Sequence, residues 1–264
     1  MTDHLLFQLY GPFASWGEIA VGEIRPTADH PTKSAVLGIV GAALGLRREQ
    51  EREHRSLAEG LLYAVEVYRS GLLLRDFHTV QVPEKTLPAY GRTRADALRH
   101  AKDQEANPLV SYREYRSDPY TIVALRVRSG VSLPWSLADL KAHLKRPRFP
   151  LYLGRKACPP ALPLCPVILS AVRFADAFKA ARHREEVQQV ARLIHGNKDG
   201  PRFAERLAGK PDVLSDVFWE GDPDEWPGEA PVRTERWDHP TSRTRWEFAP
   251  RSEWVLRRLE TPSS

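Results

Sequence analysis

The chain has 264 residues, 42% of them hydrophobic, and a formal net charge of +5. This length is enough for one large domain or two small ones with a real core. No apolar run reaches the roughly 18 residues that a membrane helix needs, and the N-terminal residues lack the basic leader of a signal peptide. We therefore expect a cytoplasmic protein without a membrane partner. The charge alone favours an anionic partner only slightly.

The charged residues are distributed unevenly. Residues 140–175 contain no Asp or Glu, whereas residues 216–229 include six acidic side chains. Cys158 and Cys165 lie in the basic segment, and a zinc site would need closer pairs or accompanying histidines. We therefore expect thiols that bind no metal. The basic residues of this segment are Lys141, Lys145, Arg146, Arg148, Arg155, Lys156 and Arg173.

The predicted elements begin with a short apolar strand at residues 5–10. A helix follows at residues 31–46, because small and large apolar residues recur there with helical spacing. Its glycines, Gly38, Gly41 and Gly45, would cost stability unless the helix closely approaches a sheet or another backbone. Two strands, at residues 61–69 and 72–82, are joined by Ser70-Gly71, which is a hairpin signal.

The remaining elements are interrupted by an excursion. Residues 83–107 are polar and contain prolines and cations, with a short helix expected near 95–105. A strand follows at 120–127, and Ser136 is an N-cap candidate for a helix through residue 144. Without the excursion, the order approximates the ferredoxin-like βαββαβ plan of an α+β protein. The tail predictions are a charged helix at 175–194 and strands at 244–248 and 254–259.

The sequence lacks the common hydrolytic motifs. There is no Gly-x-Ser-x-Gly, no His-Glu-x-x-His, no phosphate-binding lysine loop and no carboxylate pair at metal spacing. No catalytic residue, metal or cofactor is therefore predicted. His78, close to Asp76, is a candidate general base for RNA cleavage. The alternative is a structural or RNA-contacting histidine, which is favoured because proton transfer needs positioned groups.

Two early segments are candidates for contacts with a phosphate or a base. Pro31-Thr32-Lys33-Ser34 opens the first predicted helix, where unpaired backbone N–H groups, two hydroxyls and a lysine would bind an anion. Ordinary capping by Thr32 is the alternative. Trp16 stands between Ser15 and Gly17 in a turn, and it is either a stacking platform for a base or part of the core.

Residues 112–116 alternate as a strand does. This places Tyr112, Glu114 and Arg116 on one face and Arg113 and Tyr115 on the other. An arginine beside a tyrosine suits a nucleotide, whereas a solvated strand edge with cross-strand pairs is the alternative.

Residues 154–156 form a third candidate segment, Gly154-Arg155-Lys156. The glycine would let the backbone approach a phosphate that the two cations hold. Basic surface turns are common, so this signal is weak by itself.

Taken together, these blocks resemble the CasD-type subunits of type I-E CRISPR Cascade, which belong to the repeat-associated (RAMP) superfamily. The resemblance covers about residues 5–166 and does not extend into the tail. It is carried by Gly11-Pro12, Ser15-Trp16-Gly17, Arg25-Pro26-Thr27, Pro31-Thr32-Lys33-Ser34, Asp76-Phe77-His78-Thr79, Arg113-Glu114-Tyr115, Tyr152-Leu153-Gly154-Arg155-Lys156 and Cys158-Pro159.

The resemblance implies an architecture. Residues 1–175 would form an RRM-like RAMP domain, with a protruding thumb inserted at about residues 83–112. Residues 176–264 would form a C-terminal helix and a Trp-rich β region packed on that domain.

The resemblance also implies a function. The protein would hold the 5′ handle of CRISPR RNA without cutting it, contact the backbone subunit CasC and the large subunit CasA, and meet target DNA through the assembled complex. In type I-C systems the family member is itself an endoribonuclease, which remains the alternative. The implied RNA-binding residues are Trp16, Arg25, Thr32, Lys33, Ser34, His78, Arg113, Tyr115, Arg155 and Lys156, with Arg92, Arg94 and Arg99 on the thumb.

Overall fold

The computed structural model describes residues 1–80, 93, 95, 109–182 and 215–257. Within them the chain forms strands and helices in a mixed α/β arrangement. The strands are β1 (Thr2–Tyr10), β2 (Phe13–Ala14), β3 (Ile24–Arg25), β4 (Leu61–Arg69), β5 (Leu72–Val80), β6 (Leu109–Ser117), β7 (Tyr120–Val127), β8 (Val167–Ala171), β9 (Asp216–Trp219), β10 (Val232–Ser242) and β11 (Glu247–Leu256). The helices are α1 (Lys33–Leu44), α2 (Glu51–Gly60), α3 (Leu137–Lys145) and α4 (Phe174–Arg182).

Seven strands form a large antiparallel sheet in the order β10-β11-β9-β4-β7-β1-β8. Successive side chains along its strands point into two different cores, because side chains alternate between the two faces of a sheet. Leu5 and Phe7 of β1 pack with α1, α2 and α3, whereas Leu6 between them packs with α4 on the other side. The predicted α+β class is confirmed as far as a mixed arrangement of a few helices and a large antiparallel sheet. No described helix is long and apolar enough to cross a bilayer.

The predicted hairpin at Ser70-Gly71 is wrong. β4 pairs with β7 and β9 of the large sheet, whereas β5 pairs along its whole length with β6 of a smaller, four-stranded sheet. Gly71, at φ +77°, lies at the bend between the two sheets, where a Cβ atom would come within 2.3 Å of the Ser117 carbonyl oxygen. The strand pattern was read correctly, but a pattern of alternation does not specify which strand is the partner.

The first predicted helix is confirmed as α1. Thr32 is its N-cap and accepts a hydrogen bond from the Ala35 N–H, and Gly45 ends it in a left-handed conformation at φ +79°. A Cβ atom on Gly41 would lie 3.1 Å from the imidazole of His54, so this glycine allows α2 to approach closely. Helix α2 itself had not been predicted.

The tail adds strands to the large sheet. β9 lies beside β4, and the β10–β11 hairpin extends the sheet from β9. The predicted strand at residues 244–248 is wrong up to residue 246, because residues 243–246 form the turn of this hairpin and β11 begins at Glu247. The predicted helix at 175–194 is observed as α4 up to Arg182, and its remainder lies outside the described residues. The division of the chain at residue 175 stays a prediction.

The predicted thumb falls mainly outside the described residues. Its cations Arg92, Arg94 and Arg99 lie there too, as does most of the helix expected near 95–105. The last residues of the predicted thumb segment, 109–112, belong to β6.

Candidate nucleic-acid interface

Three predicted cations and a tyrosine meet on one face of the small sheet. β6 is its central strand, with β5 on one edge and β2 and β3 on the other. Arg113 is paired directly with Asp76 of β5 and with Arg25 of β3, so the three residues form one row. Two positions further along β6, and therefore on the same face, lies Tyr115.

A cation from a distant loop completes this face. The Arg155 guanidinium lies over the Tyr115 ring, with its Cζ 4.8 Å from the ring centroid, and Nη2 donates to the Arg25 carbonyl oxygen at 3.2 Å. Its Nη1 has no hydrogen-bond partner among the described residues. We call Phe13, Arg25, Arg113, Tyr115 and Arg155 the basic–aromatic face. Phe13 belongs to it because its ring meets that of Tyr115 edge-on at 6.2 Å.

Backbone geometry explains why Arg155 reaches this face. Gly154 has φ +86°, and a Cβ atom there would lie 1.8 Å from the Ser15 carbonyl oxygen. The Ser15 N–H donates to the Leu153 carbonyl at 3.0 Å, and the Leu153 N–H donates to the Cys158 carbonyl at 2.7 Å. Only glycine permits this close approach, so the loop that carries Arg155 and the exposed Lys156 is held against β2.

On the opposite face of the small sheet, a carboxylate is paired within the protein. Glu114, which is buried, accepts from Arg75 at 2.7 Å and from the Thr27 N–H at 3.3 Å. The predicted separation of Glu114 from Arg113 and Tyr115 is therefore confirmed. It leaves the carboxylate on the side away from the basic–aromatic face.

His78 lies on the same face as Arg113, two positions from Asp76 along β5. Its Nε2 lies 2.7 Å from Asp76 Oδ2, and its side chain is half-exposed. Metal-free RNA cleavage needs a general acid as well as a base. Within the described ranges, no group of three His, Cys, Asp or Glu residues is arranged to hold a metal ion.

The predicted anion site at the start of α1 is occupied by the protein's own carboxylates. The Lys33 N–H donates to Asp238 Oδ2 at 2.8 Å, and the Lys33 ammonium lies 2.8 Å from Glu220 Oε2. Lys33 is fully buried, and burial lowers the pKa of its ammonium although Glu220 acts in the opposite direction. Thr32 is buried as the N-cap, with its hydroxyl 3.1 Å from that of Ser34. The helix N-terminus is thus filled from within.

Trp16 lies in the core rather than on the surface. Its side chain is buried, its backbone N–H donates to the Thr27 hydroxyl at 2.8 Å, and its backbone carbonyl accepts from the Ala28 N–H at 2.8 Å. The core alternative accounts for this placement, because a large aromatic ring gains most from burial.

Sequence reasoning missed three residues that contribute to this region. Phe13 was not singled out, although it follows the Gly11-Pro12 block and its ring supports Tyr115. The carboxylates that occupy the α1 N-terminus, Glu220 and Asp238, come from about 190 to 200 residues further along the chain. Because β2 is only two residues long, it has no alternation that would mark Phe13, and no local signal marked the two carboxylates.

A family model described as "CRISPR-associated protein (Cas_Cas5)" matches residues 4–252. The chain belongs to this CRISPR-associated family. Its resemblance to CasD-type members is confirmed by 31% identity, over 195 residues, to the CRISPR system Cascade subunit CasD of Escherichia coli (strain K12), covering 71% of this chain and 79% of that protein.

Two solved structures resemble this chain. A chain of a "CRISPR RNA-guided surveillance complex" has a TM-score of 0.59 at 24% identity, covering 96% of this chain and 89% of its own length. A "Crystal structure of Cas protein" has a TM-score of 0.54 at 25% identity, covering 96% and 92%. The first likeness concerns the fold alone.

Proposed function

We propose that the protein is a CRISPR RNA-binding subunit of a Cascade complex, and that its basic–aromatic face holds the 5′ handle of the guide. The observation that carries this proposal is the convergence of Arg25, Arg113 and Arg155 beside Tyr115. These residues come from three separate segments, and the Arg155 guanidinium is stacked on the tyrosine ring.

The chemistry of this face matches a single-stranded polynucleotide. Arginines neutralise phosphates and release counterions, which supplies salt-dependent affinity. Aromatic rings stack on bases of any sequence. Glu114 is buried on the opposite face, and the carboxylate that β5 places on this face, Asp76, is paired with His78 at 2.7 Å. Lys156 and His78 border the proposed surface, whereas Lys33, Thr32 and Trp16 act from within the core.

The wider assembly follows from family membership. The relative in Escherichia coli is a Cascade subunit, and we propose that this protein likewise assembles with the backbone subunit CasC and the large subunit CasA in the cytoplasm. It would meet target DNA only through the assembled complex. The thumb cations would act in the same assembly.

We further infer that the core has the ferredoxin-like, RRM-like plan. The strands β4-β7-β1-β8 are adjacent in that order, which corresponds to 2-3-1-4 when these four strands alone are numbered. Helices α1 and α3 follow the first and third of them and contribute to the same core. This is the order of a βαββαβ unit. Its second strand, β4, leads into β5 of the small sheet, and its third strand, β7, follows β6 of that sheet.

The binding proposal is tested with the full-length protein, labelled 5′-handle RNA and a salt titration. Arg113→Gln should weaken binding and lower the slope of log affinity against log salt by about 0.7, the value for one phosphate contact on a single strand. Arg233→Gln is the matched control, because Arg233 is exposed on the distant β10 and bonded to Ser252. An unchanged slope in the Arg113 variant would remove this residue from the interface.

We propose that the subunit does not cut RNA. The nuclease alternative is favoured by one observation, the 2.7 Å pair of His78 and Asp76. Incubation of the protein with labelled repeat RNA, with and without EDTA, should leave the RNA intact. Site-specific cutting that disappears in His78→Ala would establish the nuclease function instead.

A further inference from the structure

The turn between β10 and β11, residues 243–246, is clamped onto the loop between α1 and α2. Arg48 donates through Nε to the Arg243 carbonyl at 2.6 Å and through Nη2 to the Thr244 carbonyl at 3.0 Å. In return, the Glu51 carboxylate accepts from the Thr244 N–H at 2.6 Å and from the Ser242 hydroxyl at 2.8 Å. These hydrogen bonds lower the pKa of Glu51 to about 2. These hydrogen bonds anchor the turn to the neighbouring loop, and we call the anchored turn the platform.

Trp246 is displayed at the end of this platform. Its side chain is 58% exposed, and its backbone has φ +60°, a left-handed conformation that bulky residues rarely adopt. The guanidinium carbons of Arg48 and Arg243 lie 5.3 and 5.7 Å from its ring centroid, and Phe248 meets it edge-on at 5.6 Å. The indole is thus oriented by its neighbours without being covered by them.

The charge around Trp246 favours a polyanion. Besides its two flanking arginines, Arg47 and Arg245 are exposed on the same loop and turn. Among the acidic residues of this loop and turn, Glu51 is bonded within the turn and Glu247 pairs with Arg245 at 3.4 Å, whereas Glu49 is exposed. A nucleotide whose base stacks on the indole and whose phosphate lies near the arginines would contact both the aromatic ring and the cations.

This surface continues towards the basic–aromatic face. The Arg148 side chain lies against Gly45, where a Cβ atom would come within 2.7 Å of its Cδ. Tyr152, which is exposed, is close enough to Arg243 to raise the pKa of that guanidinium against the stronger lowering by burial. Because Tyr152 is three residues before Arg155, the segment 148–155 links the two surfaces.

We propose that Trp246, flanked by Arg48 and Arg243, is a second binding site that stacks one base of a single-stranded nucleic acid. The continuity of this site with the basic–aromatic face rests on the proposed function, whereas the platform itself does not. A guide RNA and a single DNA strand share the chemistry of bases and phosphates. The site therefore accepts either polymer, and the comparison of RNA with DNA probes tells which one it prefers.

The test measures affinity of the full-length protein for labelled oligouridine and oligodeoxythymidine. Trp246→Ala should weaken binding of at least one probe by about fivefold or more, the lower end of the stacking range. Trp246→Phe, which keeps an aromatic ring, should retain most of the affinity. Trp237→Ala is the matched control, because Trp237 is 56% exposed on the same hairpin and no guanidinium of the described residues lies over its ring. Melting temperatures of all variants should match the unmodified protein.

Equal affinity of Trp246→Ala and the unmodified protein for both probes would overturn the proposal. If that variant keeps its affinity but loses a neighbouring subunit in pull-down of the complex, the surface docks a protein instead. The result for Arg113→Gln separates the two sites. Loss in the Arg113 variant with no loss in the Trp246 variant leaves the proposed function intact and removes the second site alone.

Discussion

Cations in two regions of the molecule have contrasting surroundings. On the basic–aromatic face, Arg113 and Arg155 lie on a small sheet beside aromatic rings, and the nearest β6 carboxylate is on the other side. At the junction of α1 with the C-terminal hairpin, Lys33 and Arg251 are buried among carboxylates. We call the second region the buried ion network: Lys33, Glu220, Asp238, Arg251, Glu253 and His30.

The difference shows that residue type does not decide the role of a charge. A buried cation must be paired, because an isolated charge in the interior is strongly disfavoured. Lys33 meets this condition through Glu220, and Arg251 meets it through Asp238 at 2.8 Å and Glu253 at 2.6 Å. These cations hold the tail to the first helix, whereas on the small sheet Arg25 is exposed and Arg113 and Arg155 are half-buried at the surface.

The largest effect is expected inside the buried ion network. Glu220→Gln should lower the free energy of unfolding by about 3–5 kcal/mol, because it leaves Lys33 without its charge partner. Urea denaturation measures this loss. RNA affinity per folded molecule should stay unchanged if the two regions are independent.

Two variants serve as controls for this loss. Glu235→Gln changes an exposed carboxylate on the same hairpin and should shift stability little. Lys33→Met combined with Glu220→Leu should recover part of the stability, since removal of both charges leaves no unpaired ion. A loss below about 1 kcal/mol for Glu220→Gln would place this pair with ordinary surface ion pairs.

A smaller effect is expected from pH. His30 stacks on Phe218 with 3.7 Å between ring centroids, and its nitrogens lie 2.7 Å from Asp29 and 3.3 Å from Glu253. Burial and Arg236 lower the pKa of His30, but the two carboxylates outweigh them and raise it above 6.5. Its stabilising contribution is complete below pH 6.5 and is lost as the pH rises through the folded-state pKa.

The measurement is the free energy of unfolding of the unmodified protein and His30→Gln between pH 6 and 9, a window set by that raised pKa. The unmodified protein should lose at most about 1.4 kcal/mol per pH unit from this single proton. The variant should be less stable at the acidic end, and the two curves should converge as the pH rises. Parallel curves would show that His30 does not titrate in this window.

The smallest effect is expected on the basic–aromatic face itself. Arg155→Lys keeps the charge but loses the guanidinium that lies over the Tyr115 ring, so binding should weaken by about two- to fivefold, equivalent to roughly 0.5–1 kcal/mol. The salt slope should not change, because the number of cations is the same. Lys156→Arg is the control in the adjacent position. A lowered salt slope for Arg155→Lys would contradict a stacking role and indicate a direct phosphate contact.

The sequence by itself determined the elements whose signals are local. Thr32 caps α1 and Gly45 ends it through bonds within four residues of each end. Ser136 and Asp139 form the predicted N-cap of α3 as a reciprocal capping box. The β7 boundaries follow directly from its apolar run, and the conspicuous short blocks indicated the family that the comparisons confirm.

Only the tertiary structure decided which surfaces these elements share. The partner of β5 is β6 instead of β4, because pairing depends on the whole sheet and not on the strand's own alternation. Lys33 belongs to the core because Glu220, 187 positions away, meets its ammonium. Arg25, Arg113 and Arg155 lie on one face because the chain brings three distant segments together. Local hydrogen bonds can be read from neighbouring residues, whereas burial and charge pairing are properties of the completed fold.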